Sequence, residues 1–272
     1  MKRGNSMIDM IVWSKNRAMQ LDLLLRTTRE KAIIIKQIYI IYTHSSWRFE
    51  HGYEKLMKNT FGDKQITWVK EISFREDFIK GLEQLKTEYV LPSNDDNVFI
   101  NKFDLCYPLN DDEVAYSLRL NPRVNFCQAA NLQIPPPFFI PPNDGNGSYR
   151  WDWTKCNPLG DWGYPHPADS NVYKRQYFIN LLKRVRFKGL GEFENAINTN
   201  RPKDKPYMCC FEKSKLINIC NNRVSNTSPC PHGNVTAEEL NDRYLYGQRI
   251  NPRPFYKMEK NQCHIEAEYQ YE

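Results

Sequence analysis

The sequence predicts an α/β fold: a mostly parallel central sheet flanked by helices, with a less regular C-terminal half. Two observations predict it. Up to about residue 100, short apolar runs of strand length alternate with amphipathic helical stretches, the pattern of a parallel sheet covered on both faces. The chain of 272 residues is also 40% apolar and 26% charged, which is globular composition with enough material for a sizeable core.

The elements follow in order. Ile8-Asp9-Met10-Ile11-Val12-Trp13 reads as a buried strand, broken by the polar Ser14-Lys15-Asn16-Arg17. Ala18, Leu21, Leu24 and Leu25 then recur at helical spacing to about Glu30. Ile38-Tyr39-Ile40-Ile41-Tyr42 is a second strand and ends in Thr43-His44-Ser45-Ser46. A helix over 52–58 and a third strand over 65–69 come next. Ser73-Phe74-Arg75-Glu76 has the form of a capping box opening a helix with Phe74, Phe78, Leu82 and Leu85 on one face. The fourth strand, Glu88-Tyr89-Val90-Leu91, runs into Pro92-Ser93-Asn94-Asp95-Asp96-Asn97.

Beyond residue 100 the pattern loosens. A strand is expected over 114–120, an irregular proline- and glycine-rich loop over 134–148, and a Trp/Tyr/Asp/Pro-rich stretch over 149–169. A helix is expected over 170–186, and another from the capping box Thr236-Ala237-Glu238-Glu239 to about Gly247. The chain after Pro254 is polar and reads as a loosely ordered tail.

Composition excludes several function classes. The net charge of +6 comes without a dense Lys/Arg stripe or a nucleic-acid-binding motif, so no nucleic-acid partner is expected. There is no transmembrane segment by hydropathy and no secretory signal, so the expected setting is cytoplasmic, in solution or peripheral to a membrane. The eight cysteines read as reduced thiols. Cys209-Cys210, Cys220, Cys230 and His232 do not form a paired framework for structural zinc.

In open α/β sheets, ligands sit at the carboxyl ends of the strands, where residues 14–17, 43–46 and 93–97 should gather. Adjacent carboxylates there repel each other unless a positive group sits between them. Hard oxygen donors of this kind suit Mg²⁺ or Mn²⁺ bridging substrate phosphates. An exposed Asn/Asp turn is the plainer reading of the pair alone. Its place after an apolar strand favours a site.

Three passages carry a family resemblance: Val12-Trp13-Ser14-Lys15-Asn16-Arg17, Ser93-Asn94-Asp95-Asp96, and Asp161-Trp162-Gly163-Tyr164-Pro165 through Asp169-Ser170-Asn171-Val172-Tyr173-Lys174-Arg175. With these the chain resembles the GT-A (Rossmann-like) glycosyltransferases that use nucleotide sugars, and is similar to glycosyltransferase family 2. The resemblance implies one GT-A-like catalytic domain over 1–254, with a nucleotide-binding half over 7–105, an acceptor-side half over 106–254, and a polar tail over 255–272. It implies donor contacts from Ser14, Asn16, Arg17, Thr43 and Asp95, and a Mn²⁺ or Mg²⁺ site on Asp96 with Asp95. On spacing alone, Arg17 reads equally as a surface residue at a helix N-terminus.

The implied donor is a UDP- or GDP-sugar. The acidic base-reading residue that many relatives carry after the second strand is missing from Thr43-His44-Ser45-Ser46, which leaves the base open. The implied acceptor is a glycan or saccharide hydroxyl. An inverting reaction needs a general base, for which Glu194, Asp169 and Glu192 are the candidates. Glu194 also reads as a first-turn helix carboxylate, and a retaining reaction needs no such base. Trp153, Trp162 and Tyr164 are candidates for stacking on an acceptor sugar, or for packing the irregular segment. His232 or His264 are candidates to complete the metal site. A nucleotidyltransferase is a rival, weakened by the glycine-free 14–17 loop. A catalytically inactive carbohydrate-binding relative is another.

Overall fold

In the computed structural model of the chain, residues 7–104, 108–140, 148–202, 204–224, 231–258 and 260–272 are described. The strands are β1 (Ile8–Lys15), β2 (Ile35–Thr43), β3 (Ile66–Lys70), β4 (Tyr89–Asn94), β5 (Asn97–Phe99), β6 (Glu113–Ser117), β7 (Phe126–Cys127), β8 (Leu132–Gln133), β9 (Ser148–Asp152), β10 (Asn171–Lys174), β11 (Tyr207–Phe211), β12 (Leu216–Ile219) and β13 (His264–Ile265). The helices are α1 (Ala18–Lys31), α2 (Trp47–Asn59), α3 (Phe74–Gln84), α4 (Arg175–Arg184), α5 (Leu190–Thr199) and α6 (Ala237–Leu245). Among these residues no helix is long and apolar enough to cross a membrane.

An eight-stranded sheet runs in the order β3-β2-β1-β4-β10-β6-β11-β9. β3, β2, β1 and β4 are mutually parallel. β10 is antiparallel to both β4 and β6, and β9 is antiparallel to β11. The sheet is thus mostly parallel with two reversed strands, the α/β class expected. Side chains alternate along each strand between two cores. Ile8, Met10 and Val12 of β1 join a core with α1, α2 and α6. Ile11 and Trp13 face the other way, into a core with α3, α4 and α5. α3 lies close on that face: a Cβ at Gly81 would stand 2.7 Å from the Tyr39 ring.

Three expectations change. The segment expected as one helix over 170–186 is β10 followed by α4. Ser170 takes a left-handed φ of 67°, which interrupts helical geometry, and Asn171–Lys174 then pairs with strands on both sides. At α3 the Ser73 side chain makes no capping bond; the Asp77 carboxylate instead reaches back to accept from the backbone N–H of Ile72 and Ser73 at 2.8 and 2.9 Å. At Thr236 the N-cap half of the box forms, its hydroxyl accepting from Glu239 N at 3.0 Å, while the Glu239 carboxylate pairs with Arg243. The segment after Pro254 is no loose tail: Phe255, Cys263, Ile265 and Tyr269 are buried, and β13 pairs with β12 beside β5. Its apolar residues are widely spaced, so no run announces them. Part of the 134–148 loop (141–147) and Cys230 lie outside the described residues. Cys209 and Cys210 are buried within β11.

Candidate active site

The parallel strands β1, β2 and β4 deliver their C-terminal ends to one edge of the sheet, and the polar loops meet there. Asn16 makes the turn between β1 and α1 with φ 58°, a conformation asparagine tolerates better than most residues. Its side-chain amide donates to Ser45 Oγ at 2.8 Å and its carbonyl accepts from Ser45 N at 2.9 Å. Its backbone N–H donates to Thr43 O at 3.3 Å. The β1 and β2 loops are thereby fixed to each other.

Asp95 and Asp96 form the turn between β4 and β5. Asp95 is buried and accepts from Ser14 Oγ at 2.8 Å and Lys15 N at 3.2 Å. Tyr53 of α2 meets the same Ser14 hydroxyl at 2.7 Å. Arg17 Nη1 bridges the pair, 3.0 Å from Asp95 Oδ1 and 2.8 Å from Asp96 Oδ2. The far side of the guanidinium is held by Asn222, through its side-chain oxygen at 2.8 Å and its carbonyl at 2.6 Å. Arg17 is therefore buried against the acidic pair and is not a surface cation at a helix end. Burial and the neighbouring carboxylate push Asp95 up to about 6, against the pull of Arg17, and Asp96 is raised too.

The other wall comes from the second half of the chain. Asn218 of β12 donates to Asp96 Oδ1 at 2.6 Å and to Asp169 Oδ2 at 3.3 Å. Asn94 also donates to Asp169 Oδ2, at 3.2 Å, and accepts from the Trp13 indole N–H. Arg119 is buried between Asp161 (3.1 Å) and Asp169 (3.9 Å), with His264 Nε2 3.4 Å from its Nη1. Burial and Arg119 hold the His264 imidazole below its ordinary range, which favours the neutral ring, and its Nδ1 is buried without a partner.

Glu194 of α5 accepts from Ala168 N at 3.1 Å and supports the turn that carries Asp169. Burial raises its carboxyl to about 7. Ser170, next to Asp169, combines its left-handed backbone with a buried hydroxyl that has no partner. Such strain persists only where the surroundings impose it. Here Ser170 N donates to Pro92 O at 3.0 Å, and Ser170 O accepts from Leu118 N at 2.9 Å.

Of the residues expected from sequence, Ser14, Arg17, Asp95, Asp96 and Asp169 come together. Glu194 stands behind Asp169, and Asn16 and Thr43 lie one layer out. Tyr164 is partly buried beside Glu194. Three expected residues do not join them. Glu192 is exposed, and its carboxylate accepts from Lys188 N at 2.8 Å at the start of α5. Trp162 is core: 2% exposed, edge-on to Trp151 at 4.9 Å, its N–H on Val124 O. Trp153 is 4% exposed with its N–H on Lys205 O. Sugar stacking needs an open ring face, which burial removes from both. Arg119, Asn218, Asn222 and Tyr53 were missed, because isolated polar residues carry no periodic signal.

A divalent cation can be weighed against this geometry. Asp95, Asp96, Asp161 and Asp169 bring four carboxylates against the two guanidinium groups of Arg17 and Arg119. Fully ionised, the cluster has two negative charges in excess, which one divalent ion balances. Among the described residues no group of three or more His, Cys, Asp or Glu encloses an ion unaided. The residues fit an ion of the Mg²⁺ or Mn²⁺ kind, which takes one or two carboxylates and completes its shell with water and phosphate oxygens.

No family model matches the chain. The bifunctional glycosyltransferase pgtA of Dictyostelium discoideum aligns with it over 279 residues at 26% identity, covering 89% of this chain and 36% of that protein. The chain is similar to a glycosyltransferase. It spans little more than a third of that relative's length. Among solved structures it shows likeness to GalNAc-T7 with UDP, GalNAc and Mn²⁺ (TM-score 0.49, 8% identity, 90% of this chain and 50% of that one). It also shows likeness to residues 1–349 of S. aureus TarS in complex with UDP-GlcNAc (TM-score 0.49, 10% identity, 81% and 60%). A third is the mannosyltransferase PcManGT of Pyrobaculum calidifontis in complex with GDP-Man and Mn²⁺ (TM-score 0.40, 12% identity, 76% and 57%).

Proposed function

We propose that this chain is a metal-dependent glycosyltransferase domain that moves a sugar from a nucleotide-diphosphate sugar, UDP- or GDP-linked, to a glycan or saccharide hydroxyl with inversion. The observation that carries the reading is the buried Asp95-Asp96 pair at the end of β4, facing the Ser14–Arg17 turn across Arg17. The similarity to pgtA supports the same reaction class.

In this reading Asp96, with Asp95, would hold the cation, and His264, whose Nδ1 is buried without a partner, would be a further ligand. The bound ion supplies Lewis-acid neutralisation of the departing diphosphate. Arg17 would offer its guanidinium to a phosphate, where charge grows as the glycosidic bond breaks. Ser14, with Asn16 and Thr43 fixing the loops behind it, positions the nucleoside. The acceptor oxygen attacks the anomeric carbon, the bond to the phosphate oxygen breaks, and the acceptor proton passes to a carboxylate. We take Glu194, raised to about 7, and Asp169 as the candidate carboxylates for this, with Tyr164 on the acceptor side. Residues 1–254 form the catalytic domain, and the segment over 255–272 braces it.

Calorimetry tests the reading. The protein is expected to bind Mn²⁺ and a nucleoside diphosphate together more tightly than either alone, and Asp96→Ala to abolish that enhancement. The absence of any enhancement across UDP, GDP, CDP and TDP would sink it. The same panel identifies the base.

A further inference from the structure

A basic rim lies at the same edge of the sheet as the site, on the α3–α4–α5 side. α4 starts at the opposite edge, where Arg175 N donates to Glu88 O at the foot of β4, so its C-terminus returns to the site edge. The turn from α4 to α5 there reads Lys183-Arg184-Val185-Arg186-Phe187-Lys188. Burial alternates along it. Val185 and Phe187 point into the core at 4% and 5% exposure, while Arg184, Arg186 and Lys188 are exposed. Arg184 ends α4, and Arg186 and Lys188 follow as exposed residues on either side of the buried Phe187.

The turn is held rigid from behind. The Arg75 guanidinium donates to the carbonyls of Val185, Leu182 and Lys183 at 3.1–3.4 Å and lies over the Phe187 ring. Lys183 is paired with Glu83 at 2.6 Å. Among the described residues no ion-pair partner stands against Arg184, Arg186 or Lys188; Glu192, the nearest acid in the chain, accepts from the Lys188 backbone. The α4 dipole accounts for basic residues in its last turn and fades beyond it, so it does not explain Arg186 and Lys188. With Arg75, Phe187 and Glu192 the cations border an open depression of about 710 Å³. Ile72, which leads into α3 beside Arg75, is 93% exposed.

We propose that this rim seats the protein on an anionic phospholipid surface, with Arg184, Arg186 and Lys188 on the headgroups and Ile72 in the interfacial layer. The cations border a wide, open depression and not an enclosed pocket. An extended array of negative charge can meet all three at once, and the exposed Ile72, three residues before Arg75, suits a headgroup boundary. The site edge would then face the lipid–water boundary. This goes beyond the proposed reaction and stands without it.

The test is sedimentation of the full chain with phosphatidylcholine vesicles, with and without phosphatidylserine, at low and high salt. Binding is expected only with phosphatidylserine and to weaken with salt. The triple variant Arg184→Gln, Arg186→Gln, Lys188→Gln is expected to bind about 100-fold more weakly, each cation contributing roughly fivefold. Ile72→Ser is expected to bind several-fold more weakly. Circular dichroism confirms that each variant is folded. Asp96→Ala should bind vesicles like the parent, which separates this proposal from the catalytic one. Equal binding to neutral vesicles, no binding to phosphatidylserine vesicles, or an unchanged triple variant overturns it. So does displacement by inorganic phosphate but not by chloride at equal ionic strength, which would mark a phosphate pocket.

Discussion

Replacing Arg17 with Met exposes the charge balance of the site directly. The side chain is buried, and its Nη1 is the cation that lies between Asp95 and Asp96. Met keeps most of the volume and removes the charge, leaving two adjacent carboxylates with Ser14, Lys15 N and Asn218 as hydrogen-bond donors and no cation between them. Removing one partner of a buried ion pair destabilises by about 3–5 kcal/mol. An unfolding entropy of roughly 2.1 cal/mol/K per residue over this chain gives about 1.7 °C per kcal/mol, so the midpoint should fall by about 5–9 °C in metal-free buffer. A divalent ion can then occupy the space the guanidinium held. At a hundred times its dissociation constant an ion returns about 2.7 kcal/mol, or about 5 °C. Differential scanning calorimetry with chelator and with Mn²⁺ reads both effects. Mn²⁺ should raise the midpoint of Arg17→Met more than that of the parent protein, because in the parent it competes with Arg17. A variant as stable as the parent in chelator would refute the buried bridge. A variant that falls but gains nothing from Mn²⁺ would refute the metal site at this pair.

Three further predictions follow from residues placed above. Glu194 sits at about 7, so transfer that uses it as base should rise as pH increases through that value; Glu194→Gln should remove this limb and lower kcat by about 10²–10⁴. Because its folded value lies above the ordinary 4.5, ionising it opposes folding: stability should decline as pH rises from about 4.5 to 7, and Glu194→Gln should flatten that decline in urea titrations. Trp162→Ala should cost about 3–5 kcal/mol by calorimetry, as a buried ring does, whereas an acceptor-stacking role would raise KM at an unchanged midpoint. Truncation after Pro254 removes Phe255, Ile265, Tyr269 and β13, and should lower the unfolding midpoint measurably, which loss of a loose tail would not do.

The first hundred residues were legible because their signals are local. Strands β1, β2 and β4 each contain an apolar run bounded by polar residues, and α1 and α3 repeat their apolar residues every three or four positions, whereas α2 begins at Trp47, ahead of the 52–58 expected. The same regularity misled over 170–186. Tyr173 and Phe178 suit a helical face, but one left-handed residue at Ser170 and pairing with β4 and β6 decide for a strand first. Aromatic content misled in a different way at Trp153 and Trp162. A cluster of tryptophans between aspartates looks the same in sequence whether its faces are open or closed, and packing against Trp151 and Phe139 closed that of Trp162.

What the sequence could not show is the second wall of the site, and the reason lies in the topology. Asp96 is met by Asn218 and Arg17 by Asn222, each partner more than a hundred residues on, and Asp169 by Arg119. These contacts exist because β5, which leaves the acidic turn, pairs with β12, and β12 pairs with β13. The small sheet therefore brings Asn218 and His264 to the turn as a register consequence: Asn218 lies opposite both Asn97 and His264. Each is a single polar residue on a short strand, without a run, a repeat or a cap to single it out. The acidic pair was visible because its two members are adjacent in sequence; its partners are adjacent only in the fold. The net negative charge that makes this cluster a candidate for a divalent cation is likewise a property of the assembled group, since the chain as a whole is basic by six charges.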